Sequence, residues 1–199
     1  MPYAEDVPHE GIAWPPTLVI DLRSPGELEP EHPLISRGAH VQVIPLLAAL
    51  DPTKRWEGNL YDLYLRLLDE AQPMLVELVE LVAEKHAATL IHCAAGKDRT
   101  GITVGLLLRL VGVDRADVIS DYLLTVAAEQ DILDRLNRSV EAGHRAAVPP
   151  RTALEVPDHA MEAVMDVWDK HPGGTEGWII DAGASPDIVE RLRAALLEA

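Results

Sequence analysis

The chain has 199 residues, of which 48% are hydrophobic and 25% are charged, a composition typical of a soluble globular protein. Its formal net charge of -16 argues against a general binding surface for nucleic acids or anionic membranes. A single cysteine excludes an internal disulfide and a multi-cysteine zinc site. No apolar run reaches the roughly 18 residues of a membrane span, and residues 1–16 carry acids and prolines instead of a signal peptide. We therefore expect one cytoplasmic domain over residues 1–199, with an irregular segment over 1–16.

Apolar runs and stripes predict alternating strands and helices along the first half of the chain. Short apolar runs over 17–22 and 41–44 are typical of buried strands. Helical stripes of apolar residues begin at Asn59 and at Pro73, and the tyrosines of the first stripe are interpreted as packing residues. The run 89–92 predicts a third strand, which leads into the segment with the candidate chemistry.

The second half of the chain is predicted to be mainly helical. An apolar helix follows the third strand and ends at Gly112, because glycine readily takes the left-handed conformation found at helix ends. Asp114 is expected to cap the next helix, and Ser185 to cap the last one. Further helices are predicted over 131–140, 158–170 and 186–197. This order of elements predicts an α/β fold with a central, mostly parallel sheet flanked by helices.

The segment between the third strand and the next helix, HCAAGKDRTG, has the features of a phosphate-binding loop. Cys93 and Arg99 are separated by five residues, between an apolar strand and an apolar helix. Backbone N–H groups of such a loop, including those of Ala94 and Ala95, meet the positive end of the helix and form an anion site. Gly96 lets the loop turn tightly, and the planar guanidinium of Arg99 matches two phosphate oxygens.

The residues around the loop support a catalytic interpretation of Cys93. The positive field of the anion site favours a thiolate, which would then be a nucleophile beneath an electrophilic phosphorus. Thr100 follows the arginine, and its hydroxyl is expected to donate a hydrogen bond to the cysteine sulfur. His92 is expected to organise the loop through hydrogen bonds rather than to bind a metal, and Gly101 to let the helix pack closely. A Cys-x5-Arg spacing is weak alone, but in this context it indicates a nucleophile.

HCAAGKDRTG resembles the phosphate loop of the protein tyrosine phosphatase superfamily. Its Lys-Asp pair is similar to that of the bacterial tyrosine–serine phosphatases of the mycobacterial PtpB type. Further segments are similar to that family, so that the resemblance covers residues 17–198: IDLRSPGELE, DYLLT, GGTEGWI and SPDIVERLRAALL. The chain lacks the Asn-Phe-Arg-Asp-type segment that such proteins carry near the N-terminus, which leaves the substrate preference open.

The resemblance implies a fold of the protein tyrosine phosphatase type and hydrolysis of phosphomonoesters without a cofactor or metal. It implies that Cys93 is the nucleophile and that Arg99 binds phosphate and stabilises the transition state. It also implies that Lys97 contacts the phosphate of the substrate. The expected partner is a phosphorylated protein or a small phosphomonoester, with phosphotyrosine first and phosphoserine or phosphothreonine as alternatives.

The leaving alkoxide or phenoxide requires a proton donor, and three aspartates are candidates. Asp98, inside the loop, is the first candidate for acid and base, with a structural ion pair as the alternative role. Asp21, at the end of a predicted strand, is the second, although its neighbour Arg23 also fits an ion-pair network that braces the loop. Asp51 is the third, and a turn-capping role suits it better. Trp14 lies far upstream and is not followed by the Pro-Asp that supplies the acid in many tyrosine phosphatases.

Three other functions fit parts of the sequence. The run 21–46 resembles the early segment of rhodanese-type sulfurtransferases, which use one loop cysteine but do not need the following Arg-Thr-Gly. A non-catalytic phosphoprotein-binding module would tolerate loss of Cys93 and Arg99, and both are present. A phosphoinositide or inositol phosphate phosphatase keeps the same chemistry; Lys97 fits it, while the acidic surface opposes docking on an anionic membrane.

Overall fold

A computed structural model describes residues 14–51, 53, 59–84, 88–125, 134 and 158–197 of the chain. Three short strands lie in one parallel sheet of order β2-β1-β3: β1 (Leu18–Asp21), β2 (His40–Val43) and β3 (Thr89–His92). All three lie within one residue of the predicted runs, and the parallel sheet confirms the predicted α/β class. In this register Asp21 stands beside His92, so two polar side chains meet at the carboxyl ends of β1 and β3.

Alternate residues of β1 point to opposite faces of the sheet, as the pleat of a strand requires. Leu18 and Ile20 belong to the main hydrophobic core, which the helices cover. Val19 points the other way and packs with Leu34 and Ala39 in a smaller cluster. Because both faces of the sheet are covered, the C-terminal ends of its strands are held in a fixed position beneath the segment after β3.

Two helices connect β2 to β3, as the stripes of apolar residues predict. Helix α1 spans Leu60–Glu70, and the side chain of Asn59 caps it by accepting a hydrogen bond from the N–H of Asp62 at 2.8 Å. Helix α2 spans Gln72–Ala83 with a proline in its first turn. The inward face of α1 buries Tyr64, Leu67 and Leu68 in the main core.

Helix α3 (Asp98–Leu110) follows the loop, and helix α4 (Arg115–Leu123) packs against it. Gly112 ends this stretch with a φ of 98°, the left-handed conformation that the sequence predicts there. Asp114 occupies the N-cap position of α4, but its side chain makes no capping hydrogen bond. The position of the predicted cap is therefore confirmed, whereas its capping hydrogen bond is not formed.

Three helices complete the described part of the chain: α5 (Asp158–Lys170), α6 (Gly174–Asp181) and α7 (Ile188–Leu197). Helix α5 has its predicted bounds, whereas α7 begins two residues later than predicted. The Ser185 hydroxyl donates to Glu80 of α2 at 2.8 Å, so it joins α7 to α2 instead of capping α7 with its side chain. The helix predicted over 131–140 lies outside the described residues, apart from Asp134.

Helix α6 was not predicted, because its glycines disfavour a helix in isolation. Packing explains the second of them, because a Cβ on Gly177 would overlap the carbonyl oxygen of Pro172. None of the helices in the described ranges is long and apolar enough to cross a membrane.

Candidate active site

The loop between β3 and α3 comprises residues 93–97 and carries the candidate nucleophile. The Cys93 side chain is buried, with 2% of the residue exposed. Gly96 has a φ of 72°, a conformation that glycine takes without strain, and its N–H points at the Cys93 sulfur over 3.2 Å. Helix α3 begins directly after the loop, so that the positive end of its dipole faces the same region. The loop therefore turns a backbone donor and a helix N-terminus toward one sulfur atom.

Thr100 lies in the first turn of α3 and does not make the expected contact. Its hydroxyl oxygen is buried and has no hydrogen-bond partner among the residues that the structure describes. The donor to the Cys93 sulfur is the N–H of Gly96 instead. Thr100 borders a small cavity of about 110 Å³ between α3 and α4, which Gly96 and Lys97 also line. The tight turn at Gly96 brings a backbone donor within reach of the sulfur, which explains the difference.

Arg99 is oriented by a carboxylate that lies 72 positions earlier in the chain. Its two terminal nitrogens donate to the two oxygens of Glu27, over 2.7 Å and 2.9 Å. One of them also donates to the backbone oxygen of Leu22 over 3.1 Å, just beyond the end of β1. A two-point pair of this kind fixes the plane of the guanidinium as well as its position. Arg99 is thus held rigidly beneath the loop before any anion binds.

Electrostatics keeps both members of this pair charged. Burial alone would lower the pKa of Arg99, but the hydrogen bonds to Glu27 and the field of Cys93 raise it above its usual value. Burial alone would raise the pKa of Glu27, yet the hydrogen bonds from Arg99 and from the Ser24 backbone leave it below its usual value. The pair therefore remains an ion pair throughout the neutral pH range.

The pair with Glu27 leaves one edge of Arg99 available. A guanidinium has five N–H donors, and three of them serve Glu27 and Leu22. The remaining donors are the Nε–H and one N–H of the adjacent terminal nitrogen, and neither has a partner in the described part of the chain. These two donors form the fork that matches two oxygens of a phosphate group. The geometry supports the predicted phosphate-binding role.

Asp21 lies in a buried ion-pair network rather than in an open pocket. Both of its oxygens accept hydrogen bonds from Arg23, at 2.8–3.1 Å, and 1% of the residue is exposed. Arg23 also pairs with Glu29 at 2.8 Å and donates to the backbone oxygen of Glu27. Although burial alone would raise the pKa of Asp21, the Arg23 hydrogen bonds hold it below its usual value. These contacts favour the loop-bracing role over that of a proton donor.

His92 joins this network to the loop through a chain of hydrogen bonds. The Leu34 N–H donates to Nδ1 of His32, so a neutral His32 carries its proton on Nε2. Nε2 of His32 then donates to Nε2 of His92, and the two nitrogens lie 3.2 Å apart. Because Nε2 of His92 accepts, the proton of a neutral His92 is on Nδ1, which donates to the Cys93 carbonyl oxygen over 3.2 Å. Burial lowers the pKa of His92 to about 4, against the opposing field of Asp21, which keeps the ring neutral. His92 thus organises the loop through hydrogen bonds, as the sequence predicts.

Asp21, His32 and His92 offer three buried ligand atoms within 4.8 Å of one another, so they deserve comparison with a metal site. The hydrogen-bond chain already uses the histidine nitrogens, and Arg23 occupies both carboxylate oxygens of Asp21. The Arg23 guanidinium also places a fixed positive charge where it would repel a cation. The contacts favour a hydrogen-bonded brace over metal coordination.

Asp98, the first candidate for the acid, lies in the first turn of α3 and is partly exposed, with 23% of its side chain accessible. Its Oδ1 accepts a hydrogen bond from the Tyr64 hydroxyl at 2.6 Å. Lys97 brings its ammonium within 3.4 Å of the same oxygen, and its side chain is 1% exposed. Lys97 therefore adds positive charge from within the loop.

The remaining candidate residues lie in structural roles. Asp51 accepts hydrogen bonds from the backbone N–H and the hydroxyl of Thr53, at 2.8 Å and 2.7 Å, which is the turn-capping role. Trp14 packs against the small cluster around Val19, on the face of the sheet away from the main core. A larger groove of about 380 Å³ lies between α1 and α5, and none of the loop residues lines it.

Three residues without a predicted site role contact the predicted site residues: Glu27, His32 and Tyr64. Tyr122 joins them through its hydrogen bond with Tyr64. A signal existed for the tyrosines, because a buried tyrosine hydroxyl requires a hydrogen-bond partner. No comparable signal marks Glu27 or His32, since each partner lies at least 60 positions away.

Two known phosphatases have sequences similar to this chain. The chain is 29% identical over 197 residues to a tyrosine-protein phosphatase of Nostoc commune, covering 92% of this chain and 66% of that protein. It is 31% identical over 138 residues to the triple specificity protein phosphatase PtpB of Mycobacterium tuberculosis, covering 64% of this chain and 50% of that protein. The chain thus spans between half and two thirds of the length of these relatives.

The sequence model of the tyrosine phosphatase family matches residues 13–198. This range contains the strand, the loop with Cys93 and Arg99, and the braces that hold them. With nearly the whole chain matched, the chain belongs to the tyrosine phosphatase family.

Proposed function

We propose that the protein hydrolyses phosphomonoesters through a phosphocysteine intermediate at Cys93. The observation that carries the proposal is the setting of Arg99. Glu27 holds one edge of the guanidinium, the Nε edge has no partner among the described residues, and the field of Cys93 helps to raise the pKa of Arg99. A buried sulfur and a two-donor fork at one loop are what a phosphate monoester requires for attack and for charge stabilisation.

In the first step the Cys93 thiolate attacks phosphorus. The S–P bond forms as the bond between phosphorus and the ester oxygen breaks, and Arg99 and the loop amides stabilise the charge on the other phosphate oxygens. Asp98 gives its proton to the leaving oxygen, which departs as an alcohol or phenol. Lys97 supplies further positive charge beside the loop.

In the second step water attacks the phosphocysteine. Asp98 accepts a proton from this water, the P–S bond breaks, and Cys93 leaves as a thiolate while inorganic phosphate forms. The Gly96 N–H, 3.2 Å from the sulfur, stabilises the negative charge of the departing thiolate. Asp98 is thereby protonated again and the cycle closes.

Phosphotyrosine is the first proposed substrate, with phosphoserine and phosphothreonine next. The proposal rests on family membership and on the names of the relatives. The test is a panel of phosphotyrosine, phosphoserine and phosphothreonine peptides together with phosphoinositides, with phosphate release as the readout. The proposed preference fails if phosphoinositides are hydrolysed and none of the peptides is.

The chemistry is tested with p-nitrophenyl phosphate on the wild type, Cys93→Ser and Arg99→Ala. We expect Cys93→Ser to abolish turnover while still binding inorganic phosphate, and Arg99→Ala to lose both, because Arg99 supplies the fork for the anion. Thiocyanate formation from thiosulfate and cyanide is assayed in parallel. Phosphate release that persists in Cys93→Ser, or thiocyanate formation without phosphate release, would refute the proposal.

A further inference from the structure

Asp98 lies at the end of a buried chain of hydroxyl groups. The Tyr64 hydroxyl lies 2.6 Å from Asp98 Oδ1 and 2.8 Å from the Tyr122 hydroxyl. Tyr64 has 0% and Tyr122 5% of the residue exposed, so water does not compete for these bonds. The chain joins helices α1 and α4 to the first turn of α3.

The direction of the chain follows from the number of protons. A phenol has one O–H, and an ionised carboxylate can only accept, so Tyr64 donates to Asp98. With its proton used there, Tyr64 must accept at its own oxygen, and the Tyr122 hydroxyl is the donor. Burial raises the pKa of Tyr64 far above its usual value, the Asp98 charge adding to it, and burial raises the pKa of Tyr122 to about 12. Both hydroxyls therefore keep their protons at neutral pH.

The hydrogen bonds of the two tyrosines distinguish the two oxygens of Asp98. Oδ1 accepts from Tyr64 and faces the Lys97 ammonium at 3.4 Å. Oδ2 has no partner in the part of the chain that the structure describes. In a protonated carboxyl group one oxygen carries the proton and the other accepts. The oxygen already accepting from Tyr64 is therefore the one that remains unprotonated.

Helix packing sets the position of Tyr122. A Cβ on Gly101 would lie 2.8 Å from the Tyr122 ring, so the close approach of α4 to α3 depends on the glycine. Tyr64 is anchored in the main core by α1. The carboxyl of Asp98 is thus held by the Tyr64 hydroxyl of α1, which the Tyr122 hydroxyl of α4 supports.

We propose that Tyr64, supported by Tyr122, is a positioning residue that holds Asp98 Oδ1 and so makes Oδ2 the atom that transfers the proton. This inference rests on the proposed function. In the first step the Oδ2 proton passes to the ester oxygen as its bond to phosphorus breaks. In the second step Oδ2 takes a proton from the attacking water. Tyr64 itself keeps its proton throughout and touches neither substrate nor sulfur.

The test compares leaving groups. Phenyl phosphate needs a protonated leaving group, whereas p-nitrophenolate departs readily without a proton. We expect Tyr64→Phe to lower kcat/KM for phenyl phosphate, which reports the first step alone, by about tenfold to a hundredfold, a fraction of the total effect of a general acid. For p-nitrophenyl phosphate the expected fall in kcat/KM is about threefold or less. The ratio of the two rates should shift in the same direction as in Asp98→Asn.

Tyr61→Phe is the matched control, since Tyr61 lies on the same helix with 45% of the residue exposed. It should behave as the wild type with both substrates. If Tyr64→Phe folds poorly, Tyr122→Phe serves instead, because Tyr122 contacts Tyr64 and its effect should have the same direction and a smaller size.

The outcomes separate the inference from the proposed function. Equal falls in kcat/KM for both substrates in Tyr64→Phe, with turnover still dependent on Cys93, would overturn the inference and leave the function standing. A wild type whose phosphate release does not depend on Cys93 would overturn both. A leaving-group effect in Tyr64→Phe and Asp98→Asn, but not in Tyr61→Phe, would support the inference.

Discussion

Gly101 is a point of close approach between α3 and α4, and replacing it tests the packing behind the site. A Cβ at this position would lie 2.8 Å and 3.0 Å from two carbons of the Tyr122 ring, closer than carbon atoms tolerate. The ring is buried and tied to Tyr64, so it cannot swing away freely. Forcing an extra carbon into a packed core costs about 1–3 kcal/mol, while alanine in a helix interior gains about 1 kcal/mol over glycine. Gly101→Ala should therefore destabilise the protein by roughly 0–2 kcal/mol.

Gly105 provides the matched control one helical turn further along α3. A Cβ there would make ordinary contacts, 3.4 Å from Val118 and 3.5 Å from Met165. Gly105→Ala should therefore stabilise the protein by about 1 kcal/mol through helix propensity. Urea and thermal unfolding measure the difference, and 1 kcal/mol moves Tm by about 2–4 °C at this size. Equal stability of Gly101→Ala and Gly105→Ala would refute the packing account.

Two further predictions concern the braces of the loop. Glu27→Gln removes one charge-assisted hydrogen bond to Arg99, worth about 1.5–3 kcal/mol. The value of kcat/KM for p-nitrophenyl phosphate should therefore fall about tenfold to a hundredfold. Glu31→Gln, at an exposed position, is the control, and an unchanged kcat/KM in Glu27→Gln would contradict the role of the pair. The pKa of His92 is about 4 in the folded protein against 6.5 unfolded, so between these values the unfolded state binds more protons and stability rises with pH, by about 3 kcal/mol. This contribution is fully present above pH 6.5 and lost as pH falls to 4. Urea unfolding should show that the stability of His92→Asn, whose amide can still donate to the Cys93 carbonyl, depends less on pH. The same pH dependence in this variant and in the wild type would contradict a neutral, buried His92.

The strand, loop and helix around Cys93 could be predicted because their determinants are local. An apolar strand, a tight glycine turn and an apolar helix occur consecutively in the sequence, and the cysteine and arginine lie within that stretch. Residues 89–92 form β3 as predicted, and the helix after the loop ends before Gly112. Gly101 was expected to allow close packing, and the Tyr122 ring confirms it.

The Asp21–Arg23 brace is local and could be predicted, whereas three other contacts could not, because they join distant parts of the chain. Glu27 lies 72 positions from Arg99, His32 lies 60 positions from His92, and Tyr64 lies 34 positions from Asp98. Local patterns carry no information about which carboxylate will face a given arginine. The Thr100 contact was wrong for a related reason: the choice of donor to the sulfur depends on the turn of the loop, not on the order of the residues.

The central claim is the covalent intermediate, and the most direct measurement is mass spectrometry of the protein quenched in acid during rapid turnover of p-nitrophenyl phosphate. The account predicts one phosphoryl group on the peptide that contains Cys93, appearing with the first burst of p-nitrophenol, and none in Cys93→Ser. A phosphoryl group on another residue, or steady turnover in Cys93→Ser, would contradict it.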